Sequence, residues 1–293
     1  RNKGAAGIDG QSLSAFEANL EVELSCLLLE LKEKRYRAQP VRRVAIAKDD
    51  GGERLLGIPT VRDRVVQQAL RRIIEPIFEP DFHPSSYGYR PGRSGHHAIG
   101  KAELFIRRYR RDWVVDMDLS KCFDTLNHDL IIRQFRQRIT DGSVLSLLRQ
   151  FLESGVMVGY HLEETEMGSP QGGVISPLIA NVYLDAFDQF MKARGHRIVR
   201  YADDILILCG SRAGAENALR VARRYLENEL KLTVNTTKTH IAHSDEGVKF
   251  LGVVIHSKYT RIQGKKVVRL KQKLKSLTKR NRGIGLAAII REL

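Results

Sequence analysis

IVRYADDILILC, residues 198–209, sets two apolar runs on either side of a pair of acids. The runs read as two short β-strands, with Asp203 and Asp204 at the tip of the hairpin between them. Adjacent carboxylates next to apolar strands are costly, because they repel each other and border a core. A divalent cation would remove that cost, since Mg²⁺ prefers hard carboxylate oxygens. An Asp-Asp pair is also ordinary turn chemistry. The pair therefore needs a third acid before it means catalysis.

WVVDMDLS, residues 113–120, offers one. The alternation predicts a strand with Val115, Met117 and Leu119 on one face and Val114, Asp116 and Asp118 on the other. If this strand neighbours the hairpin, Asp118 converges with Asp203 and Asp204. Three such carboxylates can hold two ions about 4 Å apart, the device used for in-line phosphoryl transfer. Asp116 competes with Asp118, because it shares the strand face two residues earlier, and spacing does not separate them.

The rest of the chain alternates strand and helix signals. Residues 12–35 read as an amphipathic helix, and 41–60 as a β-hairpin turning at Asp-Gly-Gly. Thr60 with Asp63 resembles a capping box, after which Val61, Val65, Val66, Ala69, Leu70, Ile73, Ile74 and Ile77 trace one helical face. SSYGYRPGRS, 85–94, is a loop punctuated by Gly and Pro. Asn127 caps a helix running to Ile139. In SPQGGVISPL, 169–178, two glycines precede Ser176 as N-cap and Pro177 as first helical residue. A helix follows near 213–230, FLGVVI (250–255) reads as a strand, and a basic helix starts near Lys266. The natural packing is a central antiparallel sheet with helices on one side.

The 293 residues, 42% of them hydrophobic, suffice for two or three packed subdomains. No apolar stretch reaches the roughly 18 residues of a membrane span. Cys26, Cys122 and Cys209 lie far apart without metal-type spacing, which suits a reduced, cytoplasmic compartment of bacterial type. Net charge is +15, and the stretch from Arg261 onward holds eleven Lys or Arg against the single acid Glu292. A surplus concentrated in this way favours a polyanion, most often nucleic acid.

The order of the blocks carries a resemblance. RNKGAAGIDG, RLLGIPTVRDRVVQQAL, SSYGYRPGRS, VVDMDLSKCFDTLNHDL, GSPQGGVISPLIANVYLD, RYADDILIL, LTVNTTKT and KFLGVVI resemble, in order, the N-terminal extension and successive polymerase blocks of group II intron-encoded reverse transcriptases, the intron maturases. The resemblance implies an α+β, right-hand polymerase fold: a palm built on a central antiparallel sheet backed by helices, and helical fingers with a β-hairpin. It implies fingers over 1–112, palm over 113–260 with roughly 150–180 partly facing the fingers, and a thumb that begins at 261 and breaks off at 293.

It also implies roles. Asp118, Asp203 and Asp204 match the acids that hold two Mg²⁺ ions, with Asp124 as a lesser candidate that could equally brace its own turn. Phe123 matches the aromatic gate that excludes a ribose 2′-hydroxyl. Lys48 and Arg54 match cations that clamp the incoming triphosphate, Gln171 a residue beside the incoming sugar, and Lys238 one that protonates or steadies the pyrophosphate. Arg90 and Arg93, with Tyr87 and Tyr89, could grip the template or order their own loop. Gly172 lies beside the nascent base pair, where the resemblance leaves room for the nucleotide. Leu251 and Gly252 match the primer grip, and Lys271 and Lys275 lie on the basic helix that would track a duplex.

The implied partners are an RNA template, a DNA or RNA primer, deoxynucleoside triphosphates and intron RNA, with no membrane; homodimerisation is left open. The implied reaction is RNA-directed DNA synthesis. Three alternatives stand beside it: an RNA-binding splicing cofactor that needs no catalytic acids, a reverse transcriptase domesticated by a defence system, and an RNA polymerase of similar palm, against which Phe123 argues.

Overall fold

The computed structural model describes residues 4–47, 52–159, 161–169 and 172–279. Two helices open the chain, α1 (Leu13–Ala18) and α2 (Leu20–Lys32). The single helix expected over 12–35 is broken at Asn19, which closes α1 and starts α2. A hairpin of β1 (Val41–Ala47) and β2 (Glu53–Ile58) follows. Helix α3 (Val61–Phe78) is capped by the Thr60 side chain, which accepts from the Asp63 N–H. The box is not reciprocal: the Asp63 carboxylate accepts instead from the Tyr36 hydroxyl and the Gln39 N–H. Val66, Leu70 and Ile74 are buried as the periodicity requires, but Ile73 and Ile77 at the edge of the stripe are exposed.

Helix α4 (Gly95–Arg107) leads to β3 (Trp113–Met117), and a short 3₁₀ turn, Cys122–Asp124, leads to α5 (His128–Arg136) and α6 (Gly142–Glu153). Short strands β4 (Val156–Val158) and β5 (His161–Glu163) extend the first hairpin into the sheet β2-β1-β4-β5. Helix α7 (Ser176–Ala193) begins one residue earlier than the sequence suggested, with Ile175 at the cap position and Ser176 already helical. Strands β6 (Arg197–Tyr201) and β7 (Asp204–Cys209) form the acid-tipped hairpin. After α8 (Arg212–Asn228) come β8 (His240–His243), β9 (Val248–Phe250), β10 (Val253–Ile255), β11 (Thr260–Ile262) and α9 (Gly264–Leu277). FLGVVI is therefore not one strand. Its chain reverses at Leu251 and Gly252, both at positive φ (47° and 87°), as a two-residue hairpin turn of type I′ demands.

The central sheet has the order β6-β7-β3-β8, antiparallel throughout. Its two faces follow from strict alternation. Val115, Met117, Ile205 and Ile207 pack against Ile179, Tyr183 and Phe187 of α7 and the alanine stripe of α8. Val114, Leu206 and Leu208 pack against Ala98, Ala102 and Ile106 of α4 and Phe250 of β9. Helices thus cover both faces rather than one. The sheet is clamped, and its end near Asp118 and Asp203 is fixed from both sides.

Candidate active site

Two strand pairings bring the acids together. Strand β3 pairs with β7 through Met117 opposite Ile205. Continuing that register by one step sets Asp118 opposite Asp204. The β6–β7 hairpin closes at Tyr201 opposite Asp204, so Ala202 and Asp203 form its tip. Ala202 sits at φ +57°, an unusual conformation for a residue with a Cβ. All three carboxylates therefore stand at one end of the sheet.

Two of them, Asp203 and Asp204, are raised above the usual carboxylate range. Burial pushes the Asp203 carboxyl up, and the Asp118 charge adds to this while Arg54 and Arg200 oppose it. Asp204 is pushed up to about 6, first by desolvation and then by Asp203, Asp116 and Asp118, with Lys238 opposing. Asp116, on the same face, is raised by its own burial and by Asp118, and His240 and Lys249 pull it back. Clustered carboxylates in this condition are destabilised by mutual charge, and a hard divalent cation is the group that suits their oxygens. The donor chemistry fits Mg²⁺. The side chains are not drawn into a finished cage: among the described residues no set of three acidic, histidine or cysteine side chains is arranged to hold a metal ion.

Lys238 flanks the acids from the neighbouring segment. Its Nζ is 3.8 Å from Asp118 Oδ2, in an exposed contact that water screens. The Asp118 N–H donates to Thr239 Oγ1 at 3.1 Å, and the Asn235 side chain accepts from the Lys238 N–H, so backbone ties hold this lysine's segment in place.

A cavity of about 280 Å³ opens beside Asp203, walled by Arg54, Tyr89, Phe123, Gly172 and Pro177. Clefts of about 530 and 620 Å³ lie behind α7 and beneath α2, and neither contains any of the three acids. Phe123 comes from the 3₁₀ turn, and its carbonyl accepts from the Ser169 N–H at 2.7 Å. Tyr89 meets Phe123 edge to face, with ring centroids 6.4 Å apart. Lys48 and Gln171 lie outside the described residues.

Gly172 takes its place for a reason the sequence did not disclose. At φ +115°, a Cβ there would stand 2.6 Å from the Gly57 carbonyl oxygen. The atom in the way belongs to β2, where a nucleotide had been expected. The same loop is tied to α3 by Gln67, whose Oε1 accepts from the Val174 N–H at 2.8 Å.

The expected template residues divide. Arg90 is buried, its guanidinium bound to Glu79 and to the carbonyls of His83 and Ser86. It is consumed in ordering its own loop and has no face to offer a template. Arg93 lies over the Tyr87 ring and donates to the Pro84 carbonyl. Leu251 and Gly252 make the β9–β10 turn, with Leu251 packed near Gly95 and the Gly252 carbonyl accepting from Gln263 at the start of α9. Lys271 and Lys275 are exposed on α9 and share one face. Asp124 lines a separate cleft with Lys121 and Gly168.

A buried polar cluster beneath the acids went unread. Arg200 is fully buried and grips Asp188 of α7 with Nε and Nη2. Its Nη1 donates to the Ala202 carbonyl at 2.9 Å and to Asn181 Oδ1 at 3.1 Å. An arginine between Val199 and Tyr201, next to the acid-tipped turn, was the available signal.

A family model described as reverse transcriptase (RNA-dependent DNA polymerase) matches residues 46–255. Protein YkfC of Escherichia coli is 39% identical over 307 aligned residues, which span 91% of this chain and 80% of that protein. The group II intron-encoded protein LtrA of Lactococcus lactis is 30% identical over 318 residues, 86% of this chain and 52% of that protein. This chain thus spans about half the length of LtrA. A telomerase from Candida albicans, solved with a fragment of telomeric RNA, superposes over 96% of this chain and 57% of its own with a TM-score of 0.61. At 12% identity that likeness shows a shared right-hand polymerase fold.

Proposed function

The chain belongs to the reverse transcriptase family, in its group II intron-encoded branch, and from that premise we propose that it is the fingers, palm and first thumb helix of an enzyme that copies RNA into DNA. The observation that carries the reading is the meeting of Asp118, Asp203 and Asp204 at one sheet end, with Asp203 lining a cavity of about 280 Å³. The reaction is attack of a primer 3′-hydroxyl on the α-phosphorus of a deoxynucleoside triphosphate, with pyrophosphate leaving. Asp118, Asp203 and Asp204 would hold Mg²⁺, which supplies positive charge to acidify the hydroxyl and offset charge on the phosphates.

The chain's own residues do the rest. Arg54 places a fixed cation at the cavity wall, where the triphosphate's charge needs a counterpart. Phe123 puts a ring where a 2′-hydroxyl would stand. Lys238, beside Asp118, is an exposed cation able to give a proton to the leaving pyrophosphate. The tie from Gln67 holds the glycine loop against the fingers. Residues 1–112 serve as fingers, 113–260 as palm and α9 as the start of the thumb.

Handling of intron RNA by the whole protein is part of the same proposal, supported by the kinship with LtrA and the basic surplus. Primer extension on an RNA template with deoxynucleotides and Mg²⁺ is the test. Wild type is expected to extend the primer. The Asp203→Asn/Asp204→Asn double variant is expected to lose extension by at least about a thousandfold while keeping RNA affinity. Without Mg²⁺ this variant should melt higher than wild type, because two repelling charges are gone, and added Mg²⁺ should no longer raise its Tm. A wild type that binds RNA but incorporates nothing would leave RNA binding as the sole role.

A further inference from the structure

Tyr89 shares the described cavity wall with Phe123. Its backbone lies at φ +60°, a region that residues with bulky side chains rarely enter. The residue is 46% exposed, yet its ring meets Phe123 at an interplanar angle of 79°. Such an edge-to-face pair at 6.4 Å is within the attractive range for aromatic rings.

The loop is built to hold this conformation. The preceding residue, Gly88, presses so closely on the acid-bearing hairpin that a Cβ would stand 2.2 Å from the Ala202 nitrogen. Its carbonyl accepts from Asn181 Nδ2 at 2.8 Å, and Asn181 is itself gripped by Arg200. On the other side Arg90 is locked to Glu79. A strained, half-exposed residue fixed on both sides, with its ring at a functional cavity, points to a use for that ring.

Resting on the polymerase reading, we propose that Tyr89 is a positioning residue for sugar selection: its ring backs Phe123 and keeps the gate from swinging away when a ribonucleotide enters. Phe123 is only half-buried and stands on a short turn that follows Lys121 at φ +48°. The core supports one side of its ring, and Tyr89 supplies an aromatic wall on the cavity side. The alternative use, a platform for a template base, would leave the choice of sugar untouched.

The experiment uses the protein with an RNA template–primer and compares kcat/KM for a deoxynucleotide and its matching ribonucleotide. Tyr89→Gly removes the ring and accepts the positive φ without strain, so its Tm is expected to stay near that of wild type. Discrimination in this variant should fall roughly three- to tenfold, the scale of one lost aromatic pair. Tyr89→Phe keeps the ring and should keep the ratio, and Phe123→Ala should lower it most. The proposal is overturned if Tyr89→Gly discriminates like wild type while Phe123→Ala does not. It is equally overturned if Tyr89→Gly changes only the KM for template–primer. A wild type that incorporates no nucleotide removes the polymerase reading itself, and this proposal with it.

Discussion

Gly172 joins two pieces of the site by having no side chain. Its Cα lies against the Gly57 carbonyl of β2, the strand that also carries Arg54. A methyl group there meets a backbone oxygen at 2.6 Å and must also take φ +115°. Strain of this kind costs about 1–3 kcal/mol. Gly172→Ala should therefore lower Tm by several degrees, or shift the loop away from β2 to escape the contact. Either response moves a wall of the cavity. The KM for deoxynucleotide should rise about tenfold, while affinity for template–primer, measured by fluorescence anisotropy, stays put. An unchanged KM would mean that the wall does not face the nucleotide.

The loop between α3 and α4 shows how an element outside regular secondary structure is held by buried polar groups. His83 is buried, and its Nδ1 accepts from the Ser85 N–H at 3.1 Å, so the ring must stay neutral there. Burial lowers its pKa to about 4, and Lys192, Arg200 and Arg90 press in the same direction against Asp185. With a folded value below the unfolded 6.5, the unfolded chain binds the extra proton between the two. The neutral ring's contribution is complete above about pH 6.5 and lost as pH falls toward 4, with an upper limit of about 3 kcal/mol. The raised carboxylates pull the other way, so the informative quantity is a difference. His83→Gln should be less stable than wild type at pH 7, and the gap in urea unfolding should narrow as pH drops from 6.5 to 4.5. A gap that widens on acidification would contradict this. None of these ties was legible in SSYGYRPGRS, whose Gly and Pro marked a loop but not its anchors. Elements with strong periodicity, such as α3, α5 and α8, were legible because one face is apolar. The reversal in FLGVVI was not, because Leu251 is no turn signal and only Gly252 hinted at positive φ. The break at Asn19 and the second helical cover of the sheet were hidden for a related reason. Periodicity says which residues turn inward but not what they meet.

At the scale of the molecule, the acids were readable because each lies at or just beyond the end of a short strand, and a shared sheet end follows from pairing those strands. The support beneath them was not, since Arg200 comes from one element and Asp188 and Asn181 from another, and they acquire meaning only when β6 docks on α7. Charge is the other property visible at this scale. Net charge is +15, and the stretch from Arg261 carries about two thirds of it. Among the described residues α9 has no buried side chain. Its stability comes from helix propensity and whatever it lies along, and a helix with this many cations on its surface suits the phosphates of a duplex. Each lysine that neutralises a phosphate releases about one condensed counterion, which makes log affinity fall linearly with log salt. Lys271 and Lys275, one turn apart on one face, should both contribute. Changing both to Gln is therefore expected to flatten the slope for a template–primer duplex by about 2, measured by anisotropy between 50 and 200 mM salt. The loss of affinity should be largest at the low-salt end and independent of sequence, because phosphates carry no sequence information. A slope equal to that of wild type would mean that this face of α9 does not touch the duplex, and the basic surplus would then have to act elsewhere on the molecule.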